Sequence, residues 1–181
     1  PAAWEELTAP FDINYAVLFH LSPNSGSLIK RLYNDRSWHL VYLDSRAAIF
    51  IRNQRQNRRI IERYKKAVFQ PKEENIAGLR LSCVASFEEI NKAYFFIDAG
   101  DYEKAETFCR IAMVKSPASD IPHLALGMAF LYQDRLKEAE VEYKKALKIN
   151  PLCYSARQNL KALSVISAHR INNLIEQARP E

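Results

Sequence analysis

The sequence predicts an α+β fold: antiparallel helical-hairpin repeats, mostly α, preceded by a small α/β unit of order β-α-β-β. Three observations carry this reading. Ala105, Ala112 and Pro117 recur 34 residues later as Ala139, Ala146 and Pro151, and such a period marks hairpins that bury their apolar faces only against neighbours. Residues 1 to about 70 lack that period and carry β-rich runs instead. The whole chain of 181 residues has only four glycines, which suits helices.

Each element has its own local reason. Tyr15–His20 is an apolar run of strand length. Ser25–Tyr33 offers a serine cap and then Leu28, Ile29, Leu32 and Tyr33 at helical spacing. Trp38–Leu43 and Ala47–Ile51 flank Asp44-Ser-Arg46, two β-rich runs around a polar turn, and read as a hairpin. A helix of roughly residues 54–67 follows, with Ile60, Ile61 and Tyr64 as its apolar stripe and Pro71 marking the exit. Residues 71–85 connect the halves, with a helix expected over 75–85 on Ile76, Leu79, Leu81 and Val84. Two repeats occupy 86–119 and 120–153. A last helix, 154–178, places Leu160, Leu163, Ile166, Ile171 and Ile175 on one side and Lys161, Arg170, Asn172 and Glu176 on the other. Two repeats fall short of the roughly three needed for an independent stack. Residues 1–70 are therefore expected to cap the first repeat, giving one compact body.

The repeat slots resemble the tetratricopeptide repeat (TPR) family. In the second copy Leu126-Gly127, Phe130, Ala139, Tyr143, Ala146 and Pro151 fill the leucine, glycine, tyrosine, alanine, aromatic, alanine and proline positions. The first copy is looser, with Ala93 for the glycine, Phe96 for the tyrosine, Cys109 for the aromatic and Lys92 where leucine is usual. This resemblance implies a non-catalytic protein–protein interaction module whose groove is lined by the first helix of each hairpin. Carried over residue by residue, the groove positions are Phe87, Ile90, Tyr94, Ile97 and Asp98, then Ile121, Leu124, Met128, Leu131 and Tyr132. The lysine and asparagine set with which some family members grip a terminal carboxylate is absent. An apolar, aromatic face remains, suited to an apolar or helical partner segment, unless the chain itself covers it. Tyr94, Met128, Leu131 and Tyr132 are the expected anchors.

A second resemblance covers about 50 residues. Trp38–Arg52 (Trp-His-Leu-Val-Tyr-Leu-Asp-Ser-Arg-Ala-Ala-Ile-Phe-Ile-Arg), followed by Glu62-Arg-Tyr64, is similar to the soluble tail of bacterial multi-pass membrane glycosyltransferases of class C, the dolichyl-phosphate-mannose mannosyltransferase-like proteins. This implies an extracytoplasmic (periplasmic) soluble domain of a membrane protein, without the catalytic carboxylates; a cytoplasmic place stays open. The opening Pro1-Ala-Ala-Trp, with no initiator methionine, likewise reads as part of a longer protein.

Twenty-six basic and 21 acidic residues leave a net charge of +5, too small alone to imply nucleic acid. The charge is uneven, however. Arg52, Arg55, Arg58, Arg59, Arg63, Lys65, Lys66 and Lys72 face one acid, Glu62. A solvated helix face is the plain reading; lipid headgroups or nucleic-acid phosphates are the alternatives, although Tyr64 and Phe69 follow the helical stripe instead of interleaving for stacking. Cys83, Cys109 and Cys153 lack CxxC spacing, and Cys109 is expected to be a buried thiol. No run reaches the roughly 18 apolar residues of a membrane helix.

Enzyme signatures are missing: no GxSxG elbow, no phosphate-binding glycine loop, no HExxH and no metal-ligand spacing. No cofactor is expected. Ser22–Ser27 reads as a capped helix start, with anion binding as the alternative. Among His20, His39, His123 and His169 only His39 has a candidate partner, Asp44 across the hairpin, and no nucleophile is visible beside it. An autonomous enzyme, the remaining alternative, would need a polar pocket with convergent ionisable groups.

Overall fold

The computed structural model describes residues 10, 11, 13–64 and 86–177, with side-chain surroundings through residue 170. The element order is β1 (Tyr15–Phe19), α1 (Gly26–Asn34), β2 (Trp38–Leu43), β3 (Ala47–Arg52), a 3-10 turn (Arg55–Asn57), α2 (Arg58–Tyr64), α3 (Phe87–Ala99), α4 (Tyr102–Lys115), α5 (Ile121–Tyr132), α6 (Leu136–Ile149) and α7 (Tyr154–Gln177). This is the α+β class expected: helical hairpins following a β-α-β-β unit. The chain forms two compact units. Among the described residues, the first holds everything up to Tyr64 together with Tyr94–Asp101 from the end of α3, and the second holds 86–93 and everything from Tyr102.

In the first unit the strands form an antiparallel sheet of order β1-β3-β2. Ala16 pairs with Phe50 and Leu18 with Ala48 across β1 and β3; Leu40 and Leu43 meet Phe50 and Ala48 from β2. Cross-strand partners share a face, so these residues form one apolar layer. Ala16, Leu40, Leu43, Ala48 and Phe50 are buried, as are Ile29 and Leu32 of α1 and Phe95 and Phe96 of α3. Phe95 lies 6.3 Å from Phe50 and 5.2 Å from Phe96 between ring centroids. The Tyr33 hydroxyl donates to the Asp101 carboxylate at 2.6 Å, and the Asn34 amide to the Ala99 carbonyl at 3.0 Å.

Asp44 builds the hairpin turn, its Oδ1 accepting from the Arg46 and Ala47 N–H groups, both at 2.7 Å. These bonds outweigh burial and hold its carboxyl below the usual range. Three local expectations need correction here. Ser25 does not cap α1: its hydroxyl donates to the carbonyls of His20 and Ser22. His39 pairs with Ile51 at the far end of β2 from the turn. The histidine that meets Asp44 is His20, whose Nε2 lies 3.0 Å from the Asp44 carbonyl. Over the described part of the helix expected at 54–67 stand a 3-10 turn and then α2; Ile61 is buried, but Ile60 and Tyr64 are exposed, and 65–67 lie outside the described residues. The helix expected over 75–85 and the exit at Pro71 lie outside the described residues, as do Cys83 and the surroundings of Ile171, Asn172, Ile175 and Glu176.

The second unit stacks α4 on α5, α5 on α6 and α6 on α7. The periodic alanines Ala105, Ala112, Ala139 and Ala146 are each fully shielded, as are Ala93, Ala125, Ala129 and Ala156. Small residues there let helices approach closely. At Gly127 a methyl group would sit 2.5 Å from the Tyr143 ring, so only hydrogen fits. Tyr143 itself is wholly buried. The backbone shows the same 34-residue period. Helix α3 ends with Gly100 at φ +82° and the Asp101 N–H bonded to the Phe96 carbonyl; α5 ends with Asp134 at φ +65° and Arg135 N–H bonded to Phe130. Both are Schellman turns. Helices α4 and α6 end alike, Ser116 on Ala112 and Asn150 on Ala146.

Candidate functional site

Helix α5 is apolar over nearly its whole surface, and its neighbours leave one face of it open. Pro122, Ala125, Leu126, Gly127, Ala129 and Phe130 are buried. Ile121, Leu124, Met128 and Leu131 follow one another at spacings of three and four residues, and Tyr132 lies four after Met128, so they share the other face. On that face Leu124, Met128 and Leu131 are half-buried, Ile121 is exposed, and Tyr132 keeps 58% of its surface open. The Tyr132 ring stacks on Tyr102 of α4 with centroids 6.1 Å apart and an interplanar angle of 21°. Tyr102 extends the aromatic surface and was missed by reasoning from repeat slots, because it opens the second helix of its hairpin.

The first-copy positions fare differently. Phe87 is exposed, and Tyr94 is half-buried within the first unit. Ile90 and Ile97 retain only 6% and 5% exposure, so they are not open to a partner as expected. For Ile90 the reason is that it lies on the covered side of the opening turn of α3, with Ser86, Glu89 and Asn91, while Phe87 and Glu88 face outward. Ile97 belongs to the helix end that packs within the first unit beside Phe95 and Phe96.

Ionic contacts in the repeat unit join helices. The Lys115 ammonium, at the end of α4, donates to Glu89 of α3 at 2.7 Å, with both side chains almost buried. His123 Nδ1 lies 2.7 Å from Glu142 Oε2 across α5 and α6, and Lys145 donates to Glu142 Oε1, also at 2.7 Å. Burial would raise the Glu142 carboxyl, but the bonds from His123 and Lys145 outweigh it and hold the group low. Arg135 donates to Glu138 and lies over the Phe130 ring at 4.1 Å; Arg170 of α7 bridges to Asp134. The Lys115–Glu89, His123–Glu142 and Arg170–Asp134 contacts fix helix against its neighbour and leave the open face of α5 apolar.

In the first unit, burial pushes the His20 imidazole down in pKa and the Asp98 carboxyl up. The His20 ring stands edge-on to Phe95 at 5.5 Å, with no hydrogen-bond partner at Nδ1 among the described residues. No group of three His, Cys, Asp or Glu able to hold a metal ion occurs among the described residues. Cys109 is fully buried and its thiol is pushed up to about 12 by burial. Of the basic run, Arg55, Arg58, Arg59 and Arg63 are exposed, while Arg52 lies over the Trp38 ring at 5.2 Å. Arg58 pairs with Glu62 at 3.4 Å. Lys65, Lys66 and Lys72 lie outside the described residues.

Residues 123–151 match the tetratricopeptide repeat family. That span falls on α5 and α6, the second of the two sequence copies. The first TPR domain of the human RPAP3 protein, solved by NMR, is similar in structure, with a TM-score of 0.45 and 22% identity over 49% of this chain and 69% of that one. No curated protein matches the chain. No helix among the described residues is long and apolar enough to cross a membrane.

Proposed function

We propose that the chain is a non-catalytic protein-interaction module that docks an apolar or helical partner segment on the open face of α5. Ile121, Leu124, Met128, Leu131 and Tyr132 make the floor, with Phe87 as a further exposed contact. The observation that carries this is the alignment of five large apolar side chains on the side of α5 that its neighbours leave open. The tetratricopeptide match over 123–151 supports the same reading. Aromatic and methionine side chains in such a face supply most of the affinity, and the polar rim little. Peptides selected against the chain from a helical library test this. Met128→Ala with Tyr132→Ala should weaken them at least about tenfold, the effect of losing a central anchor. Unchanged affinity places the docking face elsewhere.

The finer reading is that the module is the extracytoplasmic tail of a membrane glycosyltransferase-like protein. The run Trp38–Arg52 supports it; those residues build β2, the Asp44 turn and β3. The coding sequence upstream of Pro1 decides the matter. Several apolar spans of about 20 residues there uphold the reading, and a start codon directly before Pro1 removes it.

A further inference from the structure

Among the described residues, the open face of the three-stranded sheet carries one titratable side chain, His39 opposite Ile51, and is otherwise apolar or aromatic. Tyr15, Val17 and Phe19 share that face with their partners Ile51, Ile49 and Ala47, and Tyr42 joins them opposite Ile49. Phe19 keeps 70% of its surface exposed, Tyr15 67% and Val17 50%; Leu21, just past the strand, is exposed too. An antiparallel sheet ordinarily turns polar side chains to water on its open face. Edge strands are ordinarily guarded by charge or proline, and Tyr-Ala-Val-Leu-Phe contains neither.

Basic residues stand near both ends of this strand, and at the Phe19 end the Asp44 carboxylate, which accepts from the Tyr42 hydroxyl at 2.7 Å, accompanies Arg46. At the Phe19 end the His20 N–H donates to the carbonyl of Arg46 at 3.0 Å, and Arg46 is exposed. At the Tyr15 end the Arg52 N–H donates to the Asn14 carbonyl at 2.8 Å, and the Gln56 amide reaches the Asn14 side chain at 3.4 Å. That bond sets the turn bearing exposed Arg55 beside the start of β1. Residues 13–64 hold nine lysines and arginines against three acids, a local excess of six.

We propose that this face is a bilayer-contact surface. Tyr15, Val17, Phe19 and Leu21 enter the headgroup–acyl boundary of a membrane containing anionic lipid, and Arg46 and Arg55 meet lipid phosphates. Tyrosine suits that depth because its ring is apolar and its hydroxyl wet. Binding of this kind scales with buried apolar area plus attraction to anionic lipid. A second copy is the other natural occupant of an edge strand, but it would bring a second local excess of six positive charges against the first. The charge pattern therefore selects an anionic occupant. The proposal is independent of docking on α5.

Co-sedimentation of the whole chain with phosphatidylcholine vesicles, with and without phosphatidylglycerol, tests it. The chain is expected to bind only the anionic vesicles, less so as salt rises. Tyr15→Ser with Phe19→Ser should lower partitioning at least about tenfold while leaving the thermal melt unchanged or higher, and Arg46→Gln with Arg55→Gln should also lower it. Met128→Ala, which disables the α5 face, should leave partitioning intact. No binding to anionic vesicles overturns the proposal, as does binding that survives Tyr15→Ser with Phe19→Ser. A dimer seen by light scattering that this pair dissociates, without vesicle binding, would assign the face to a second copy and equally overturn it.

Discussion

Helix α5, His123 apart, and strand β1 are both apolar or aromatic from end to end, and the fold treats them oppositely. Helix α5 has helices on more than one side, so Pro122, Ala125, Leu126, Gly127, Ala129 and Phe130 are buried and only one face stays open. Strand β1 buries Ala16, half-buries Leu18 and leaves three large side chains to water. In both, the smallest residues point inward, where neighbours approach most closely. The difference teaches that apolar content does not say what is buried. What decides is how many sides of an element another element can reach.

The sharpest way to break this comparison is within one sheet. Phe50→Ala empties a fully buried site and should cost about 3–5 kcal/mol in urea unfolding. Phe19→Ala, on the open face of the neighbouring strand, should change stability by no more than about 0.5 kcal/mol. Equal effects would mean that the open face is covered.

Buried and exposed ion pairs differ in the same manner. Lys115→Met strands the nearly buried Glu89 carboxylate and should cost about 3–5 kcal/mol by the same measurement. Arg58→Ala, at the exposed Arg58–Glu62 pair, should cost less than about 0.5 kcal/mol.

Close helix approach is a feature of the repeat unit. Gly127→Ala drives a methyl group into the Tyr143 ring and should cost about 1–3 kcal/mol by calorimetry. A neutral result would show that the two helices can part without loss.

The smallest expected effect separates the units by pH. His20 has its pKa lowered by burial, so below about 6.5 the unfolded chain binds the proton first and the first unit loses stability as pH falls. Asp98, raised by burial, acts in the opposite sense: its contribution is present below the ordinary carboxylate pKa and is lost as pH rises through the raised one. Glu142 is held low, so what it adds to the second unit persists above the ordinary carboxylate range and is lost as pH falls through its depressed value. Hydrogen exchange at pH 7 and pH 5.5 should therefore show first-unit amides, such as those of β3, losing protection before those of α6. His20→Gln should remove that first step.

Much of the repeat was legible in advance. The spacing of Ala105, Ala112 and Pro117 against Ala139, Ala146 and Pro151 located four helices, and the hairpin around Asp44 was visible from its turn chemistry. The α5 positions were legible through the resemblance to the tetratricopeptide family, whose slots fix which positions of the first helix share a side. Ile90 and Ile97 were not, because the same arithmetic cannot tell which faces the rest of the chain will cover. The assignment of His39 to Asp44 failed because proximity in sequence is no guide to position along a paired strand.

By itself, the sequence determined the helices, their turns and the buried alanines, because those depend on spacings of a few residues and on a period repeated once. Only the tertiary structure decided that β1 joins the edge of β3, that Phe50 points inward while Phe19 points out, and that Glu89 finds Lys115. A strand apolar on both faces has no preferred inside until another element packs on one of them. That packing is non-local, and no short-range pattern encodes it.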